Sequence, residues 1–251
     1  DPRTQMAAVR STASAATAAA VRAMSTSAAG ARKLIFFGAP GVGKGTFASR
    51  IGPELGIPAI STGDIIRAEV KAGSDVGKEV KAFSESGKLV PDELVDKMVK
   101  RRLAEPDAQN GYILDGYPRT VAQAKALVEY ETVDAVMNIT LPKHVLMEKL
   151  LGRRACADCG RGYNVAAIHE GELDMPPLLP KPEDCDQCKG EPKLETRKDD
   201  TEDVVTYRLD VYEQETAPVL GFFEELGRVV NFPVQKGIAD MPRMREVLGM
   251  K

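Results

Sequence analysis

The sequence predicts a doubly wound α/β domain built on a five-stranded parallel sheet. Three observations predict it. From Arg32 onward, short apolar runs alternate with amphipathic stretches, the rhythm of strands and helices in a parallel sheet. The first run, Lys33 to Phe37, leads directly into the Gly-rich turn GAPGVGKGT, Gly38 to Thr46. PDELVDKMVKRRLAE places Leu94, Val95, Met98, Val99 and Leu103 on one helical face, opened by Pro91 at a first-turn position.

The elements follow in order. Strands are expected at Lys33 to Phe37, around Ala59 and Ile60, at Gly111 to Leu114, at Asp134 to Ile139 and at Arg228 to Phe232. Helices are expected after the Gly-rich turn, over Thr120 to Tyr130, Pro142 to Leu151 and Val204 to Leu226, and near the C-terminus. Within the first helix, RIGPEL carries Gly52 and Pro53, which predicts a kink or an early end near Ile51. From Arg153 to Asp200 Pro, Gly, Cys and charged residues replace the rhythm, which marks an inserted small domain or flap.

Residues 1 to 30 differ from the rest. They are mostly Ala, Ser and Thr with Arg3, Arg10 and Arg22 against the single acid Asp1, a composition that cannot bury a core and fits an organellar transit peptide or a disordered leader. The whole chain carries a net charge of −3, so residues 31 to 251 carry −5. That balance argues against a generic nucleic-acid binder, and no apolar run approaches the roughly 20 residues of a bilayer-spanning helix. A polyanionic ligand must therefore meet local cations.

The Gly-rich turn is built for such a ligand. A strand-to-helix turn of this kind presents backbone N–H groups with the positive end of the helix dipole behind them, and Lys44 adds an ammonium. Gly38, Gly43 and Lys44 satisfy the G-x-x-x-x-G-K spacing, but Gly45 follows and the hydroxyl comes one place late, at Thr46. Asp115 ends GYILD at the carboxyl edge of a strand, where it is placed to orient magnesium through water.

The acceptor is narrowed by the residues that are missing. Phosphoryl transfer to an alcohol wants a base, whereas a monophosphate, with its second pKa near 6, is already ionised at neutral pH. The barrier is then the meeting of two polyanions, which calls for arginines. The two histidines, His144 and His169, stand beside no nucleophile and read as surface residues. Arg67, Arg119, Arg153, Arg154, Arg197 and Arg208 stand where the core meets turns.

GAPGVGKGT, STGDIIR, GKLVPDELV, DGYPRT, GRR, TRKDD and YRLDVYEQETAPVL, in this order over nearly all of residues 32 to 226, resemble adenylate kinase in its long-lid form. The resemblance implies reversible magnesium-dependent transfer from ATP to AMP, giving two ADP, in one kinase domain of residues 31 to 251 that is usually monomeric. Its core would comprise 31 to 60, 91 to 152 and 201 to 251, its AMP-binding flap 61 to 90 and its lid 153 to 200. ATP would lie on Gly41, Val42, Gly43, Lys44, Gly45 and Thr46, with Arg153, Gly162 and Tyr163 reaching it from the lid. AMP would lie on Thr62, Arg67, Lys88, Leu89, Val90, Gly116, Tyr117, Pro118, Arg119 and Gln123, the Gln123 amide pairing with the adenine edge. Lys44, Arg119, Arg153, Arg197 and Arg208 would be catalytic, the last two also binding AMP, and Asp199 and Asp200 would order the closed lid.

Two features qualify the likeness. Lys149 stands where many members carry an arginine stacked on the ATP base, which leaves GTP open as donor. The four cysteines, in CADC (Cys156, Cys159) and CDQC (Cys185, Cys188), have the paired spacing of a structural zinc site, with 25 intervening residues against the common 15 to 20. A UMP or CMP kinase of the same fold and a non-catalytic nucleotide-binding scaffold are the competing readings, and a mitochondrial destination is favoured over a plastid.

Overall fold

The computed structural model describes residues 32 to 182, residue 188 and residues 191 to 250, so the expected leader lies outside the described residues. The elements are β1 (Arg32–Phe37), α1 (Lys44–Leu55), β2 (Ala59–Ser61), α2 (Thr62–Ala72), α3 (Asp75–Ser86), α4 (Asp92–Leu103), β3 (Gly111–Asp115) and α5 (Val121–Tyr130). There follow β4 (Ala135–Thr140), α6 (Lys143–Leu151), β5 (Arg153–Cys156), β6 (Gly162–Asn164), β7 (Ile168–Glu170), β8 (Leu173–Met175) and β9 (Leu194–Glu195). The chain ends through α7 (Glu202–Val211), a π-helical turn at Tyr212–Thr216, α8 (Pro218–Glu225), β10 (Val229–Pro233), a 3-10 turn at Gly237–Asp240 and α9 (Met241–Val247).

The central sheet has five strands in the order β10-β4-β1-β3-β2, and every pairing is parallel. Its strands are apolar almost throughout because both faces are covered. Successive residues point to opposite sides: Leu34 and Phe36 of β1 join one core cluster, Ile35 and Phe37 the other. The first cluster takes Phe47, Ala48 and Ile51 of α1, Leu146 and Leu150 of α6, and Met241 and Met244 of α9. The second takes Val80 of α3, Val95, Met98 and Val99 of α4, Leu127 of α5 and Phe223 of α8. Helices on both faces of a parallel sheet place the ligand crevice at the carboxyl ends of its strands.

The expected early end of the first helix is not observed. α1 runs through Pro53 to Leu55 and closes on Gly56, whose φ of 68° and backbone N–H to the Gly52 and Pro53 carbonyls form the C-cap. Pro53 gives the Ser49 carbonyl no N–H four residues on, and the helix ends two residues beyond it. Gly52 is required there, since a Cβ would lie 2.8 Å from the Ile57 carbonyl oxygen.

Between α6 and α7 the chain forms a three-stranded sheet, β6-β5-β9, and a separate hairpin, β7-β8. Cys156, Tyr163 and Cys188 make a small cluster of their own, packed on by Leu178 and Leu194. Ile168 and Met175 of the hairpin belong instead to the first core cluster, 3% and 1% exposed.

Candidate active site

A cleft of about 530 Å³ runs along the carboxyl edge of the central sheet, lined at one end by Ser61, Asp64 and Arg67 beyond β2 and at the other by Gly237 and Ile238 beyond β10. Its middle is the loop after β1. Gly38, Gly41 and Gly43 turn the chain at φ of 139°, 87° and 99° before α1 begins at Lys44. A Cβ on Gly38 would lie 2.1 Å from the Ile139 carbonyl oxygen, and one on Gly41 would lie 2.7 Å from Leu150 Cγ. Only bare backbone can lie this close to β4 and α6, and the loop and first turn of α1 line the cleft as an anion-binding helix start.

Lys44 folds back over this loop. Its Nζ donates to the carbonyls of Gly38, at 2.8 Å, and Ala39, at 3.0 Å. Burial lowers its pKa to about 8; Asp115 opposes that, while Arg119, Arg208 and Arg153 add to it. Asp115 ends β3, and burial raises its pKa against the pull of Lys44 and Arg119. The late hydroxyl of the loop has a reason in this neighbour: a Cβ at Gly45 would lie 3.1 Å from Asp115 Oδ2. A Ser or Thr at 45 would press on that carboxylate.

The segment after β3 is held by α4 and α5. Tyr117 Oη donates to Asp96 Oδ1 at 2.7 Å, and Thr120 Oγ1 donates to Asp92 Oδ2 at 2.7 Å. Gly116, at φ of 78°, leaves room for the Arg119 guanidinium, which would lie 2.9 Å from a Cβ there. Arg119 Nε donates to the Gly116 carbonyl at 2.8 Å, which fixes the guanidinium at the cleft.

Further arginines converge from α2, β5, the segment before α7 and α7 itself. Arg153 pairs with Asp200 through both Nε and Nη2, the Nε contact being 2.8 Å. Arg208 Nη1 donates to Asp199 Oδ2 at 2.6 Å and approaches Asp200 Oδ1 at 3.4 Å. Arg67 pairs with Asp64. Burial lowers the pKa of Arg197 to about 10, and the like charges of Arg153 and Arg67 push the same way. Arg208 is lowered by burial to about 10 as well, with Asp199 opposing. Lys44, Arg67, Arg119, Arg153, Arg197 and Arg208 thus line the cleft with the carboxylates of Asp64 and Asp115, while Asp199 and Asp200 pair with Arg208 and Arg153.

Of the residues singled out from sequence, Gly41 to Thr46, Arg67, Leu89, Asp115 to Arg119, Arg153, Gly162, Tyr163, Arg197 and Arg208 line this one cleft. Thr62, Lys88, Val90 and Gln123 are not among the lining residues. The Thr62 hydroxyl donates to the Gly116 carbonyl at 2.7 Å. The buried Gln123 amide accepts from Arg119 N at 2.7 Å and donates to Asp92 Oδ1 at 2.8 Å. Both side chains hold the Gly116–Arg119 segment from behind, and the Gln123 amide is already occupied by protein partners. Arg50 and Arg161 line the cleft without having been singled out. Arg50 Nη1 donates to the Thr46 carbonyl at 2.9 Å, and its place one helical turn after Thr46 was the signal available.

In the small sheet the sulfurs of Cys156, Cys159 and Cys188 lie within 4.8 Å of one another, those of Cys156 and Cys188 at 3.3 Å. Cys185 lies outside the described residues. Gly160, at φ of 73°, turns the knuckle, its N–H donating to the Cys156 carbonyl at 2.9 Å. The backbone N–H of Cys159, aided by Cys188, pulls the Cys156 thiol down to about 7. Three converging sulfurs, one of them poised to ionise, suit a thiolate-bound zinc ion.

A phosphate loop at the centre of a parallel sheet, faced by arginines from four other elements, defines a nucleoside monophosphate kinase of the phosphate-loop class. A family model described as Adenylate kinase matches residues 36–228, and the chain belongs to that family. It is 41% identical over 219 residues to the GTP:AMP phosphotransferase of Plasmodium falciparum, covering 86% of this chain and 95% of the relative. It is 41% identical over 223 residues to adenylate kinase 1, chloroplastic, of Arabidopsis thaliana (85% and 76%). It is 44% identical over 222 residues to the adenylate kinase of Bacillus licheniformis (86% and 97%). No helix among the described residues is long and apolar enough to cross a membrane.

Proposed function

We propose that the chain transfers the terminal phosphoryl group of ATP to AMP, reversibly, to give two molecules of ADP. The observation that carries this reading is the surplus of cations over carboxylates around the phosphate loop. Such a surplus, held in a partly buried cleft, favours two phosphate chains brought end to end. ATP takes Gly41 to Thr46 with Arg153, Gly162 and Tyr163. AMP takes Arg67, Leu89 and Gly116 to Arg119 together with Arg197 and Arg208, with Thr62, Lys88, Val90 and Gln123 at the margin of its site. Lys44, Arg119, Arg153, Arg197 and Arg208 stabilise the charge on the transferring group, and the acceptor, already ionised, needs no base.

Magnesium, when bound with ATP, neutralises phosphate charge, and Asp115 would hold it through water. Cys156, Cys159 and Cys188, with Cys185, would hold a structural zinc that staples the small sheet. Residues 61 to 90 serve as a flap over AMP and residues 153 to 200 as a lid over ATP, excluding water that would otherwise accept the phosphoryl group. The chain acts as a monomer, with nucleotides and not nucleic acid as ligands. An organellar site fits the composition of residues 1 to 30. Mitochondrion has no support beyond that composition, and relatives named chloroplastic in Arabidopsis and rice favour a plastid.

The donor has a second reading, GTP, motivated by Lys149 and by the Plasmodium relative's name. A coupled assay of the full chain decides both questions, offering ATP or GTP against AMP, UMP, CMP and GMP with magnesium. ADP formation from ATP and AMP is expected, and K44M should lower kcat by roughly 100- to 1000-fold with the KM for AMP little changed. Turnover with UMP or CMP and none with AMP would overturn the proposal.

A further inference from the structure

Helix α4 follows directly on Leu89 and Val90, and Leu89 lines the cleft. Gly116 and Arg119, on the segment after β3, line the cleft as well. What fixes the gap between these two pieces of chain is a pair of carboxylates on α4. Asp92 and Asp96 are one helical turn apart and share a face of the helix. Asp92 accepts from Thr120 Oγ1 at 2.7 Å and from Gln123 Nε2 at 2.8 Å. Asp96 Oδ1 accepts from Tyr117 Oη at 2.7 Å.

Tyr117 is 1% exposed, so its hydroxyl must find a partner inside the protein. Asp96 meets it at ordinary hydrogen-bond length, whereas the Gln123 carbonyl and Tyr130 Oη both stand at 3.5 Å. Burial, with Tyr130 and Asp96 adding to it, raises the pKa of Tyr117, so the hydroxyl keeps its proton and donates. A phenol that donates to a carboxylate makes a stronger bond than one between neutral groups. Lys100, one turn beyond Asp96, sets its Nζ 4.5 Å from the centre of the Tyr130 ring and so braces the second tyrosine against the same helix.

We propose that Asp96 is a positioning residue for the phosphoryl acceptor: its bond to Tyr117 holds Gly116 to Arg119 against α4 and so sets the gap between that segment and Leu89 into which the acceptor fits. Asp96 is not among the residues lining the cleft, so it acts through Tyr117. The Gly116 carbonyl takes both Arg119 Nε, at 2.8 Å, and the Thr62 hydroxyl, at 2.7 Å. A displaced Tyr117 therefore carries the Arg119 guanidinium with it. The phosphate loop is borne by other elements, β1 and α1, so the donor should not feel the change. Naming the acceptor AMP rests on the proposed function; the anchoring of this segment by Asp96 does not.

Calorimetry on the full chain, with AMP and with ATP in separate titrations, tests this role. D96A should raise the Kd for AMP roughly tenfold, the scale of a slightly misplaced binding group, and leave the Kd for ATP unchanged. Asp96 is half-buried on a helix and alanine is the better helix former, so the variant should fold. D96N keeps an oxygen that can accept from the phenol and should restore most of the AMP affinity. Y117F should weaken AMP binding in the wild-type chain and add little in the D96A chain, because the two side chains act as one unit. An AMP Kd unchanged in both D96A and Y117F, equal losses for ATP and AMP, or losses that simply multiply in the double variant would overturn the inference. Failure of the kinase reading would show separately, as a wild-type chain that binds AMP but makes no ADP from it with ATP.

Discussion

Asp200 is the carboxylate on which the arginine arrangement leans most. Its side chain is 0% exposed and faces Arg153 and Arg208, which are 20% and 17% exposed. D200N keeps the shape and removes the charge, leaving two half-buried guanidinium groups to face each other with Asp199 as the nearest anion. Removing one partner of a fully buried pair costs about 3–5 kcal/mol, and the remaining access of Arg153 to water places this case at the lower end, about 3 kcal/mol. For a chain of this size each kcal/mol moves Tm by roughly 2–4 °C, so the variant should melt roughly 6–12 °C below the wild type. ATP brings oxygens of the charge that Asp200 supplied. Scanning calorimetry with saturating ATP should therefore show at least half of that deficit recovered. A Tm within about 2 °C of wild type, or a deficit that ATP leaves untouched, would refute the claim that these arginines are matched to phosphate.

Other outcomes follow from the same site. Burial holds Lys44 near 8, below its ordinary 10.5, so the free protein should lose kcat/KM for ATP as pH rises through about 8. Bound phosphates favour the ammonium, so the basic limb of kcat should lie at higher pH than that of kcat/KM; coincident limbs would contradict this. The sign for stability is opposite: the cost of burying this ammonium is fully present below about 8 and is relieved between there and 10.5, which pH-dependent denaturation of the free protein measures. Native mass spectrometry should find one zinc per chain, lost in C156S and in C159S, and chelation should lower the Tm. A metal-free chain of full stability would remove the zinc assignment.

The parts of the fold that the sequence made legible are those written in local pattern. Continuous apolar runs such as LIFF and YILD read as strands buried on both faces, and the helical face Val95, Met98, Val99 and Leu103 is buried as its spacing requires. The phosphate loop was legible because its glycines answer to positive φ and to the close approach of Ile139 and Leu150. What the sequence hid depends on partners far along the chain. Gln123 donates to Asp92, 31 residues earlier, a pairing no spacing announces. Gly45 looks like a departure from a motif until Asp115, seventy residues away, is seen against it. The residues from Ile168 to Met175 read only as part of an irregular insertion, because their docking is made by Gln235 and Gly237 near the other end of the chain. α1 continues past Ile51 to Leu55 and is closed by Gly56, a left-handed C-cap that the presence of Pro53 does not by itself announce.

The central claim is that donor and acceptor occupy the two ends of one cleft at the same time, phosphate facing phosphate across Lys44 and the arginines. A single molecule in which two adenosines are joined through a chain of five phosphates tests it directly, by calorimetry against ATP and AMP. The account predicts that one such molecule binds per chain, far more tightly than either nucleotide, and that it displaces both. Binding of two molecules per chain, or displacement of only one nucleotide, would contradict it.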